Sequence, residues 1–171
     1  MRGPRLALTG SSDKFCTDDM MREPSPVTLQ AECQTLRQIP IFRGLDPAKL
    51  KLLAFAAERM LVEKGDVVYR AGEPSDAVYV LLSGEVDVMH EHVRLARLSC
   101  GALFGEIGVL CARPRANTLA AVSEISLLRI EKNVFFELLQ EMPQVAVALS
   151  RELGRRLDDM NERFVARTAG G

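Results

Sequence analysis

Apolar positions change their period twice along the chain. Val27, Leu29, Cys33, Leu36 and Ile39 recur at roughly helical spacing, which predicts a helix over 27–38 that Pro40 ends at the preceding residue. An apolar turn, Ile41-Phe42-Arg43-Gly44-Leu45, follows; Asp46 and Pro47 then supply an N-cap and a first-turn proline for a second helix through Leu50, Leu53 and Ala57. After Glu58 the period falls to two, with turn signals at Lys64-Gly65-Asp66, Ala71-Gly72-Glu73-Pro74, Ser83-Gly84 and Ser99-Cys100-Gly101. The Val-, Leu- and Tyr-rich runs between them predict strands at 60–62, 67–69, 77–82, 86–90 and 93–98, continued at 117–122 and 125–130. Many short strands with frequent turns suit a sandwich, a jelly roll or a barrel. Beyond Glu131 the period is helical again: Val134, Phe135, Leu138 and Leu139 form one helix ending near Pro143, and a longer one runs to about Phe164.

The longest helix carries Leu149, Leu153, Leu157, Met160 and Phe164, which at 100° per residue stay within about 40° of one line. That stripe is built for burial, either on the chain's own strands or in part against a second copy or a ligand. Residues 1–26 mix Gly, Pro, Ser, Thr and Asp without periodic apolar positions, which predicts a disordered leader or linker; 27–165 form the domain and 166–171 a flexible tail.

At 171 residues, with 47% apolar and 26% charged, the chain can bury one sizeable core. A formal charge of -1 gives no overall reason to expect a polyanion, so no nucleic acid is expected as a partner. No apolar run approaches the length of a membrane span and the leader lacks a secretory apolar block, which points to a cytoplasmic protein. Cys16, Cys33, Cys100 and Cys111 stand 17, 67 and 11 residues apart, which fits neither a metal nor a redox motif, so they are read as free thiols.

The chemistry concentrates where the strand pattern is interrupted, in GALFGEIGVL from Gly101 and PRANT from Pro114. Gly105 lets the backbone turn and approach a ligand. Glu106 opens a short helical segment to Leu110 whose first N–H groups lack partners and suit an anion. Arg115, after the Pro114 turn, can reach back over that end and grip a phosphate through its planar fork, while the Glu106 carboxylate can accept from two sugar hydroxyls.

The run FGEIGVL followed after three residues by PRANT resembles the phosphate-binding cassette of the cyclic nucleotide-binding domain family, found in catabolite activator proteins, kinase regulatory subunits and cyclic nucleotide-gated channels. The IPIFRGL turn, Gly72 to Asp76, Ser83-Gly84-Glu85 and the two closing helices extend the likeness over roughly residues 28–165. The resemblance implies a mainly β fold with flanking helices. Its centre would be a double-stranded β-helix, or jelly roll, with two N-terminal helices, a short cassette helix and two C-terminal helices. It further implies that Gly105 and Glu106 take the ribose 2′-hydroxyl, and that Arg115, with amides near Gly108 and Ala116, neutralises the cyclic phosphate. Ile107 and Asn117 flank these contacts. Ala116 stands where cyclic-GMP-selective kinase sites often carry Thr, which favours cyclic AMP over cyclic GMP. No other cofactor, no metal and no catalytic residue is expected. On the helical wheel Arg156 lies about 60° from the stripe's centre and Arg155 about 160°, so Arg156 is the candidate lid over the base, its alternative being an ordinary charge paired with Glu152.

The implied function is a regulatory sensor that transmits binding through its last helix to a fused or separate effector, with a homodimer through that helix as one arrangement. Two further readings stay open. The same fold could have lost its ligand and serve protein contact. A metal-dependent cupin enzyme would use the same architecture, and Gly84 with His90-Glu91-His92 looks like the start of its motif, but Ala96 and Arg97 stand where its ligand Glu belongs and there is no third His.

Overall fold

The computed structural model describes residues 26–168. Helix α1 (Pro26–Gln38) packs against α2 (Pro47–Ala56), with a 3-10 turn at Pro40–Phe42 between them. Asp46 caps α2 as its sequence implies: the carboxylate accepts from the Ala48 N–H at 2.9 Å, ahead of Pro47. The last residue of the expected leader, Pro26, is the first of α1, and residues 1–25 lie outside the described residues.

Eight strands follow: β1 (Glu58–Val62), β2 (Val67–Tyr69), β3 (Ala77–Ser83), β4 (Glu85–His90), β5 (Val93–Ser99), β6 (Leu103–Phe104), β7 (Thr118–Ala121) and β8 (Ile125–Glu131). Helix α3 (Glu106–Leu110) interrupts them, and α4 (Lys132–Glu141) and α5 (Pro143–Thr168) close the chain. The strands form two antiparallel sheets, ordered β1-β8-β3-β6 and β2-β7-β4-β5, so the jelly roll implied by the resemblance is the architecture found. Strand β6 has only two residues, too few to show a period; it pairs Leu103 and Phe104 with Val80 and Tyr79.

Strand β3 reads as a continuous apolar run because both its faces are covered. Tyr79 and Leu81 point between the sheets into a cluster with Tyr69, Val86, Phe104, Leu119 and Leu127. Val78 and Val80 point the other way, into a second cluster with Leu36, Phe42, Leu50, Leu128, Phe135 and Leu149 from the helices and β8. The helical layer thus braces one sheet while the roll interior stays free to hold a site.

The stripe on α5 divides. Leu149 is buried and Leu153 packs against the helical cluster, but Leu157 and Met160 are 58% and 66% exposed, and Phe164 is also exposed. Helix α5 continues to Thr168, so the first residues of the expected tail are helical and 169–171 lie outside the described residues. Among the described residues no helix is long and apolar enough to cross a membrane.

Candidate ligand-binding site

Gly105 is the hinge on which the site is built. It caps α3 at φ 81°, a left-handed conformation, and a Cβ there would lie 2.6 Å from an Arg115 amino nitrogen. Only glycine permits both. Beyond it α3 places Glu106 inward, 2% exposed, and Gly108 against Ser75, whose hydroxyl occupies the space a Cβ would need.

Arg115 is held by the turn between β2 and β3. Its backbone N–H donates to Glu73 O and its carbonyl accepts from Gly72 N–H, each at 2.8 Å. The side chain, 2% exposed, runs inward: Nη1 donates to Gly105 O at 2.8 Å and Nη2 to Ala77 O at 2.7 Å. The guanidinium carbon lies 4.3 Å from the centre of the Tyr69 ring and 5.5 Å from that of Tyr79. The carboxylate paired with it, Asp76, is 3.6 Å away and closer to Arg129, at 2.8 Å. Its Nε–H is buried and has no partner among the described residues. A full cation is therefore buried against carbonyls and rings, with a donor to spare and only a share in one carboxylate; such a group stabilises an incoming anion. The sequence suggested a fork reaching the end of α3; the structure places it against Gly105, the N-cap of that helix, and adds that it is already bound to two carbonyls.

Glu106 meets the last helix. Its Oε1 accepts from Arg156 Nη1 at 2.8 Å, while Arg156 Nη2 donates to Leu103 O at 2.9 Å and Nε to Glu152 at 2.9 Å. Arg156 is thus bonded into the wall, to the carboxylate expected to hold the sugar and to Glu152, and all three of its nitrogens are engaged. Burial pushes the Glu106 carboxyl above the ordinary carboxylate value, against the pull of Arg156. Glu152 goes the other way: hydrogen bonds from Arg155 and then Arg156 hold it low, outweighing its desolvation.

These groups share one cavity of about 720 Å³. The fold brings Gly105, Glu106, Ile107, Gly108, Arg115, Ala116, Asn117 and Arg156 to its walls, with Val88, Ala96, Leu98 and Leu119 as an apolar side. Ile107 is largely exposed at its border; Asn117 is half-buried and its Oδ1 lies 3.1 Å from His90 Nδ1. The sequence reading missed Tyr69, Tyr79, Asp76 and the Ala77 carbonyl, whereas the Arg156–Glu152 pair it offered as the alternative to a lid is present. Tyr69 and Tyr79 are the chain's only tyrosines, and that both sit on strands facing one site was the available signal. Among the described residues no group of three or more His, Cys, Asp and Glu is placed to hold a metal ion.

Residues 59–142 match the family model described as the cyclic nucleotide-binding domain. This stretch belongs to the cyclic nucleotide-binding domain family. The cyclic AMP receptor protein of Thermus thermophilus is 32% identical over 123 residues, covering 69% of this chain and 57% of that protein. A lysophospholipase of Aspergillus niger is 30% identical over 132 residues, covering 74% of this chain and 9% of that enzyme. The chain thus spans a little over half of the first of these relatives and about a tenth of the second. The crystal structure of the Thermus thermophilus catabolite activator protein superposes with a TM-score of 0.65 at 30% identity, covering 73% of this chain and 61% of that one. The cyclic nucleotide-binding domain described here therefore has relatives of two kinds, regulators and an enzyme that carries the domain as a small part.

Because Glu106 binds its proton more tightly in the fold than in the unfolded chain, its stabilising contribution is complete below the ordinary carboxylate value and is lost as pH rises through the raised one. Glu106→Gln does not titrate. Urea unfolding at about pH 4 and about pH 7 is expected to show the Gln variant gaining on the wild type at the higher pH; a pH-independent difference contradicts the burial argument.

Proposed function

We propose that this domain is a cyclic nucleotide sensor, with cyclic AMP the favoured ligand. The observation that carries the reading is the buried Arg115 guanidinium with an unpartnered Nε–H, on a residue that lines the same cavity as the buried Glu106 carboxylate. A cyclic nucleotide has the matching handles: an anionic phosphate for the cation and a ribose hydroxyl for a carboxylate oxygen. The cavity volume lies within the usual range for small ligands. Gly105, Gly108, Ala116, Ile107 and Asn117 form the surrounding wall, and Ala116, lacking a hydroxyl, offers guanine no side-chain acceptor for its 2-amino group.

The output runs through α5. Glu106 Oε1 holds Arg156 of that helix, so a sugar hydroxyl donating to the same carboxylate alters the bond that ties α5 to α3. A ligand shifts an equilibrium only through such a differential contact. The effector is a fused domain or a separate partner, and this chain carries the regulatory part rather than a catalytic one.

Titration calorimetry with cyclic AMP and cyclic GMP tests the reading. Arg115→Ala is expected to weaken binding at least about thirtyfold, the equivalent of about 2 kcal/mol; Arg115→Lys, which keeps charge but loses the fork, is expected to fall between. No binding by the folded wild type would instead favour a fold retained for protein contact.

Transmission is tested by hydrogen exchange. Ligand is expected to change protection of amides in residues 150–166, and Arg156→Ala to reduce that change by more than it reduces affinity. Equal exchange with and without saturating ligand contradicts the route through α5.

A further inference from the structure

The second sheet offers the cavity a floor that is apolar except at one end. Val88 of β4 lines the cavity with Ala96, Leu98 and Leu119 from β5 and β7; His90, two residues on along the same face of β4, is exposed and borders the cavity through Asn117, which lines it. At the end of this floor the side chains of His90 and Asn117 meet, with Nδ1 and Oδ1 3.1 Å apart. With the Asn117 amide placed in this orientation, Oδ1 toward the ring, His90 Nδ1 carries the proton and donates. The Asn117 oxygen is then occupied, and the amide has only its two Nδ2–H donors to offer the cavity.

That asymmetry has a chemical consequence for a purine. An asparagine pairs best with adenine by accepting from the 6-amino group while donating to N7; an edge bearing O6 and N7 presents two acceptors instead. Resting on the sensor reading, which puts phosphate and sugar at Arg115 and Glu106, the base is left the apolar floor and its polar end. We propose that the His90–Asn117 pair is a specificity determinant that reads the purine edge as a donor-only contact. It closes the paired mode for adenine and supports a 6-oxopurine. Ala116 withholds one contact from guanine and this pair supplies another, so the site accepts cyclic GMP and cyclic IMP alongside cyclic AMP.

The test measures dissociation constants of the wild type, His90→Phe and Asn117→Ala for cyclic AMP, cyclic GMP and cyclic IMP, with thermal melting to establish that each variant is folded. His90→Phe frees the Asn117 oxygen and is expected to move the cyclic AMP to cyclic GMP preference toward cyclic AMP by about fivefold or more. Asn117→Ala is expected to weaken cyclic GMP and cyclic IMP more than cyclic AMP. Cyclic IMP, which lacks the 2-amino group, is expected to follow cyclic GMP, because the contact is at the 6-position. Folded variants that bind with unchanged ratios overturn this inference and leave the sensor reading intact. A wild type that binds none of the three overturns both.

Discussion

A guanidinium buried against two tyrosine rings governs the architecture around it. Arg115 cannot be placed there cheaply: it must give up water, and what replaces water is two backbone carbonyls, aromatic faces and a share of Asp76. Several other features follow. Gly105 must be glycine because its Cβ would collide with the Arg115 fork. The turn at Gly72 and Glu73 must hold the Arg115 backbone from both sides. Asp76 must reach both Arg115 and Arg129, and its carbonyl accepts the Lys132 N–H at the start of α4, so the cation is tied to the helical layer through one residue.

The second constraint is the pairing of Glu106 with Arg156. It joins a five-residue helix inside the roll to a 26-residue helix outside it, and it marks the point where the apolar stripe of α5 leaves the domain. Before it, Val145 and Leu149 are buried; after it, Leu157 and Met160 are largely exposed, Met160 at the border of the cavity. In the sensor reading, the part of α5 that is free to change its packing begins where the contact with the ligand-facing carboxylate is made. The position of one charge pair then sets how much of the helix can respond.

Much of this was legible in the sequence, for identifiable reasons. Asp46-Pro47 specified the start of α2, and the period of two marked seven of the eight strands. Strand β6 was not legible because two residues carry no period, although Leu103 supplies a carbonyl to Arg156. The motif at Gly105, Glu106 and Arg115 singled out the residues that the fold gathers in one cavity, but spacing could not reveal that the Arg115 fork is already engaged by a second carbonyl and two rings. Those partners include Ala77 and Tyr69, which are 38 and 46 positions away in sequence. The helical wheel put Arg156 near the cavity and its spacing offered Glu152 as a partner, which the structure has; the second partner, Glu106, depends on tertiary burial that no spacing shows. The five-residue stripe on α5 showed a uniform apolar face, yet burial ends partway because the domain body ends there.

In the sensor reading, the unpartnered Nε–H of Arg115 receives the ligand's anionic group. Nitrogen-15 correlation NMR of arginine side chains observes that N–H directly, with Arg115→Lys assigning its signal. Addition of cyclic AMP is expected to shift the Arg115 Nε–H resonance and slow its exchange with water, as a charge-assisted hydrogen bond forms. A resonance that neither moves nor gains protection at saturating ligand would contradict the account.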